Sequence, residues 1–401
     1  PDTDPAALAD ARQKLANIEV LQGHTDRAKL LISQAETFWN HHPPQRYAEE
    51  RLEGMAIKAR VQRSAGDLEA AIATETGAIA QRIALSGRVH RETAVLYNTH
   101  GITLTAANRL DDALGAYRET IDIYKQLGLE GELDAQIILG NMGILEYRTG
   151  HLREAEGLLR NAYERERALA GDSAAVAAAM GVYAETLTLT DRSMQALPIS
   201  REAVDIATRY AGASSPVALQ NMLFLSDAQY AAADAKAARA TLVAYRDAAL
   251  AQYGPKHLCT LRAQMALANL AYRQGDAAGG RARLVATIAL LRGLGARADA
   301  ILAQALQYLG EIDLSAGKPA DAAEALHESI SILSRFAASG WIIAVARERL
   351  GEALSAAGQL GAVEALRQAV KALSAELGDE HTETVRAKSA LRALDKATPA
   401  P

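Results

Sequence analysis

Four stretches of this sequence hold residue types that could do chemistry. His90-Arg91-Glu92 has the start of a phosphotransferase catalytic loop, but Glu stands where such a loop needs its Asp base. Neither a Gly-rich phosphate loop nor an Asp-Phe-Gly triplet accompanies it. The run Gly275-Asp276-Ala277-Ala278-Gly279-Gly280 has the glycines of a phosphate cradle, yet no strand precedes it as a nucleotide fold requires. His41-His42 offers two imidazoles to a metal, but adjacent side chains diverge, and Pro43-Pro44 marks the stretch as a connector. Cys259, the one cysteine, excludes an intramolecular disulfide and a Cys-based zinc cluster. Beside the apolar start of a helix it reads as a small packing residue. Nothing in the spacing converges a nucleophile, a base and a carboxylate, so catalysis, a metal and a cofactor are not expected of this chain.

The elements that must position these residues announce themselves by a fixed period. Turn residues recur at Gly23, Gly66, Asn108, Gly150, Asp191, Ala233, Gly275, Gly317 and Gly358, spaced by 41 to 43 residues. Gly, Asn and Asp tolerate positive φ just beyond a helix end; Ala does not, so the turn at Ala233 is expected to be strained or closed differently. Seven residues before each turn stand Ala16, Ala59, Gly101, Gly143, Ala184, Ser226, Ala268, Gly310 and Gly351. Five after each stand Ala28, Ala71, Ala113, Ala155, Ala196, Ala238, Gly280, Ala322 and Val363. Small residues on both sides of a tight turn let two helices cross closely, since any larger side chain would push the axes apart. Pro198 falls inside a second helix, which should therefore begin late or kink there.

This pattern resembles the tetratricopeptide repeat, in the 42-residue variety found in kinesin light chains and many bacterial proteins. Leu139, Met142, Gly143, Gly150, Ala155, Leu159 and Ala162 carry it in one unit. The linking motif Gly-x-x-His-x-x-Thr-apolar stands at Gly254 to Leu261 and Gly378 to Val385, and nearly so at Gly87 to Ala94. The Pro that usually follows the His is replaced by Leu258, Thr382 and Arg91. The resemblance implies an all-α, right-handed superhelical solenoid of nine helix pairs. A lead at 1–8, repeats over 9–381, a capping helix at 382–396 and a tail at 397–401 follow from it. Ser215-Pro216 adds an N-cap followed by Pro in the first helical turn.

The resemblance further implies that the first helices line the concave surface and that their inner side chains take the ligand. Carried onto the positions six and three before each turn, and their neighbours, it names Tyr147, Arg148, Glu185, Asp227, Tyr230, Asn269, Tyr272, Arg273, Gln307 and Glu311. Rows of aromatics beside hydrogen-bonding groups suit a protein segment or extended peptide. Tyr beside the turn is equally a packing residue of such repeats, and a polar inner face is equally a solvated one.

Composition agrees with the repeat and narrows the partners. Hydrophobic residues make up 49 % of 401 while aromatics are 4 %, so the apolar content is mostly the Ala and Leu of closely stacked helices. No compositional break divides the chain, which favours one continuous array. A net charge of −5, with both signs mixed throughout, offers no basic footprint for nucleic acid or an anionic membrane. No apolar run is long enough to span a bilayer. The start at Pro1 without Met reads as a region cut from a longer protein or a processed product. The reading is a non-catalytic sensor or scaffold array of a bacterial signalling protein, best matched by the C-terminal repeat region of a transmembrane Ser/Thr kinase. Its alternatives are a free adaptor or peptide-responsive transcriptional regulator, and the recruiting region of an enzyme whose catalytic domain lies upstream. The compartment would be periplasmic in the first case and cytoplasmic otherwise; oligomeric state is left open.

Overall fold

A computed structural model describes residues 4–335 and 340–397. Among them every regular element is helical. The chain divides into two compact units, 1–139 and 140–401, and the division falls within one helix. In a stack where each repeat touches only its neighbours, a continuous composition does not prevent such a seam.

The first unit contains α1 (Pro5–Leu21), α2 (Thr25–Asn40), α3 (Ala48–Ser64), α4 (Leu68–Ser86), α5 (Arg91–Ala106) and α6 (Leu110–Gln126). Helix α7 (Leu133–Thr149) spans the division. The second unit continues with α8 (Leu152–Ala170), α9 (Ala174–Leu189), α10 (Ser193–Ala211), α11 (Pro216–Ala231), α12 (Ala235–Tyr253), α13 (Leu258–Arg273) and α14 (Ala277–Arg292). It ends with α15 (Asp299–Ser315), α16 (Pro319–Leu333), α17 (Gly340–Ala356), α18 (Ala362–Glu376) and α19 (Thr382–Ala397).

All nine turn residues have positive φ, from 57° at Asn108 to 96° at Gly275. Each turn closes the same way: the N–H following the turn residue donates five residues back, as from His151 to Glu146 O at 2.8 Å and from Lys318 to Asp313 O at 2.8 Å. Of the two outcomes expected at Ala233, strain or a different closure, the strain is the one found. Ala233 sits at φ 64° with the same bond, Asp234 N–H to Gln229 O at 2.9 Å. Packing of the helix pair on either side holds an L-residue where it would not go alone.

The two columns of small residues line the helix crossings. A Cβ on Gly143 would lie 2.7 Å from Leu159 Cγ, one on Gly310 would lie 2.6 Å from Leu326 Cγ, and one on Gly280 would lie 2.8 Å from Ala268 O. Only glycine leaves room there for the facing helix. The last pair departs from the expected register. Gly358 and Gly361 both take positive φ, so α18 starts late and turns Ala362, Leu366, Ala369 and Leu373 inward instead of Val363.

The linking motif has a local physical basis. His90, His257 and His381 cap the helices that follow, each Nδ1 accepting the N–H two residues on, at 3.2 to 3.3 Å. The threonines Thr93 and Thr260 donate back to Gly87 O and Gly254 O. Of three further expectations, the late start of the helix with Pro198 is corrected: α10 begins at Ser193 and contains Pro198, which is exposed. Helix α1 begins at Pro5, inside the expected lead, because Asp4 caps it with Pro in the first turn. The tail expected at 397–401 falls outside the described residues except for Ala397, which ends α19.

Candidate ligand-binding face

The residues first singled out for chemistry have structural occupations. His90 caps α5. Nδ1–H of His41 and of His42 donate to Thr37 O and Phe38 O, closing the end of α2. Among the described residues no group of His, Cys, Asp and Glu has the arrangement to hold a metal ion. The half-buried Cys259 thiol is pushed up by burial, which suppresses the reactive thiolate.

In the second unit the first helices of successive pairs, α9, α11, α13 and α15, each carry one hydrogen-bonding side chain six residues before the turn: Glu185, Asp227, Asn269 and Glu311. Asp227, Tyr230, Asn269 and Arg273 line one cavity of about 50 Å³, together with Gln304 and Tyr308. The Arg273 guanidinium lies over the Tyr230 ring, 5.1 Å from its centre, and its charge also acts on Asp227.

Burial governs the electrostatics of this row. Glu185 is 6 % exposed, and burial followed by repulsion from Asp227 holds its carboxyl well above the usual range. Asp227 is exposed to water at its outer edge, and the protein packed around the rest of it pushes its carboxyl up to about 7, with Arg273 opposing. Burial likewise raises the Tyr147 hydroxyl well above its ordinary value and Tyr308 to about 12. Among the described residues Glu185 Oε2, Asn269 Oδ1, Gln307 Nε2 and Glu311 Oε2 make no hydrogen bond, though Glu311 Oε2 lies 3.4 Å from Arg349 Nη2. The side chains of Glu185, Asn269 and Gln307 are at least nine-tenths buried. Such atoms cost free energy unless something supplies a partner.

The other expected residues are distributed as follows. Tyr147 packs edge-on against Phe224, with Arg148 beside it on α7, its guanidinium pushed down by burial. Glu311 reaches Arg349 Nη2 at 3.4 Å. Tyr272 goes elsewhere: it packs against the cluster of Leu284, Ile288 and Leu291, and Gly280 lies against its backbone. Sequence reasoning missed Tyr308, Gln304 and Arg349. They stand nine to thirteen residues before their turns, a turn or two up the same helix face from the rows that were chosen, and continuing each row by three or four residues would have found them.

The second unit is also joined to itself over a long stretch of chain. His381 Nε2–H donates to Leu189 O at 2.6 Å, and Thr382 Oγ1–H to Asp191 Oδ2 at 2.8 Å. The link between α18 and α19 thus meets the turn between α9 and α10. Because His381 Nδ1 accepts from Glu383, the ring is the Nε2–H tautomer, the form this contact needs.

No family model matches this chain, and no curated protein matches it either. Solved structures do. The apo form of the quorum sensor NprR from B. thuringiensis aligns with a TM-score of 0.64 at 12 % identity, over 83 % of this chain and 89 % of that one. A Rap protein complexed with Competence and Sporulation Factor aligns at 0.57 and 12 % identity over 98 % and 99 % of the two chains. The apo form of RapI aligns at 0.57 and 12 % over 97 % and 99 %. The fold is a tetratricopeptide-like solenoid. At this identity the likeness is one of fold alone. Among the described residues no helix is long and apolar enough to cross a membrane.

Proposed function

We propose that the inner face of the second unit binds an extended peptide or protein segment, and that the chain is a non-catalytic, peptide-responsive array. The observation that carries this reading is the set of unpaired, buried polar atoms on that face, Glu185 Oε2, Asn269 Oδ1 and Gln307 Nε2. The Asn269 oxygen accepts, the Gln307 amide donates and the Glu185 carboxyl does either according to its protonation, which suits the alternating N–H and C=O groups of an extended backbone that would supply the missing partners. Tyr147, Tyr230 and Tyr308 add rigid aromatic surface at low entropic cost. The likeness to a Rap protein complexed with Competence and Sporulation Factor and to the quorum sensor NprR supports a signalling role for such a fold. The proposal concerns the ligand of the array. It applies equally to a free adaptor, a transcriptional regulator and the sensor region of a Ser/Thr kinase, and no observation here favours the kinase.

The test is a peptide-library screen comparing the parent with a Tyr230→Ala, Asp227→Ala, Asn269→Ala variant, each first shown to be folded by circular dichroism. Peptides selected by the parent should lose about tenfold or more in affinity for the variant. Undiminished binding would move the site off this face.

A further inference from the structure

The outer side of the second unit has a seam between second helices that differs from its neighbours. The residues thirteen after one turn and eight after the next carry the outer faces of adjacent second helices, and on α14 and α16 these are Ile288 and Ala325. Ile288 and Ala325 belong to one apolar cluster, as do Tyr163 and Ile199 at the corresponding places on α8 and α10. Between α12 and α14 the two positions are Arg246 and Arg283. Two guanidinium groups cannot close such a seam by packing, because each must keep its charge in water or paired.

What results is a groove of about 720 Å³ between α12 and α14, floored by α13. Val243, Leu267 and Leu290 give it apolar surface, while Arg239, Arg246 and Arg283 stand on its walls. The guanidinium groups are loosely held. Among the described residues Arg246 reaches its neighbour Asp247 at 2.7 Å and no other carboxylate, and Arg283 lies 3.8 Å from Asp276. Asp276 is itself engaged in capping α14 through Gly279 N–H. Arg239 is exposed, with neither hydrogen bond nor ion pair among the described residues.

We infer that this outer groove is a second docking site, for an acidic protein segment that inserts apolar side chains between α12 and α14 and sets its carboxylates against Arg239, Arg246 and Arg283. Charge complementarity selects the occupant. In a chain of net charge −5 these walls carry a local cationic surplus, and the apolar floor asks for aliphatic or aromatic side chains rather than a bare anion. The site is separate from the inner face, so it could hold a partner while the inner face holds a peptide.

The experiment measures binding of a labelled peptide of alternating Glu and Leu, and of its Lys-for-Glu counterpart, to the full chain as salt is raised. The acidic peptide should bind, weaken with salt, and lose about tenfold or more in affinity for an Arg239→Glu, Arg283→Glu variant. An Arg239→Gln, Arg283→Gln variant, gentler on folding, should lose less. Equal binding of the two peptides would overturn the inference, and so would unchanged affinity in both variants. Loss on altering Asn269 and Gln307 but not the arginines would place the acidic peptide on the inner face, also overturning the outer site while leaving the inner one standing.

Discussion

Glu185 and Asp227 stand one repeat apart; burial raises the proton affinity of both, Asp227 raises that of Glu185 further, and Arg273 opposes the rise at Asp227. A carboxyl whose pKa is higher in the folded chain stabilises the fold below its unfolded pKa and loses that contribution as pH rises through the folded value. For Asp227 the window runs from near its ordinary value of 3.8 up to about 7, with an effect lessened by its exposure to water, and Glu185 adds a contribution of the same sign above its ordinary value. Stability should therefore decline with rising pH across that range. Glu185→Gln should raise the melting temperature at pH 8, by the equivalent of about 1 to 3 kcal/mol, and change it little at pH 4. Thermal unfolding of both proteins as a function of pH checks this, and parallel curves would exclude it. Ala233 gives a second test: at φ 64° it occupies a backbone region that suits glycine, so Ala233→Gly should stabilise by about 1 kcal/mol. Both effects trace to residues that stood out in the sequence. The turn position of Ala233 was legible because turn chemistry is local. The enclosure of Glu185 was not, since it depends on how several repeats curve together.

At the scale of helices, the small columns were readable because close crossing forbids large side chains at fixed distances from each turn. Gly143→Leu should cost about 1 to 3 kcal/mol or more by driving a side chain into Leu159. Denaturant unfolding of that variant should show the loss, and a parent-like midpoint would contradict the packing described. The register of α18 was not readable: Gly361, a second residue at positive φ, delays the helix and brings Ala362 and Leu366 inward. Pro198 was a poor guide to where α10 begins, because the first turns of the helix tolerate a residue that the sequence alone marks as a breaker. Tyr272 followed its neighbours in the row but packs against the α14 side, because a periodic rule assigns a face to a position and not a direction to a ring.

Over the whole molecule, most contacts join neighbouring repeats, so folding can spread from pair to pair with little loop to close. The bonds from His381 to Leu189 and from Thr382 to Asp191 are exceptions, at separations of 192 and 191 residues. Entropy penalises closing so long a loop, and among the described residues two hydrogen bonds, with the Arg153 guanidinium beside Gly378, repay it. They should form late and open first, as a local event that leaves the repeats folded. Amide hydrogens around residues 379–384 should therefore exchange faster than those of the helix pairs between them, and His381→Ala should speed that exchange while shifting the global unfolding midpoint only slightly. The chain then has two clocks: a slow one for the stack, set by its buried columns, and a fast one for the join, set by an imidazole and a hydroxyl.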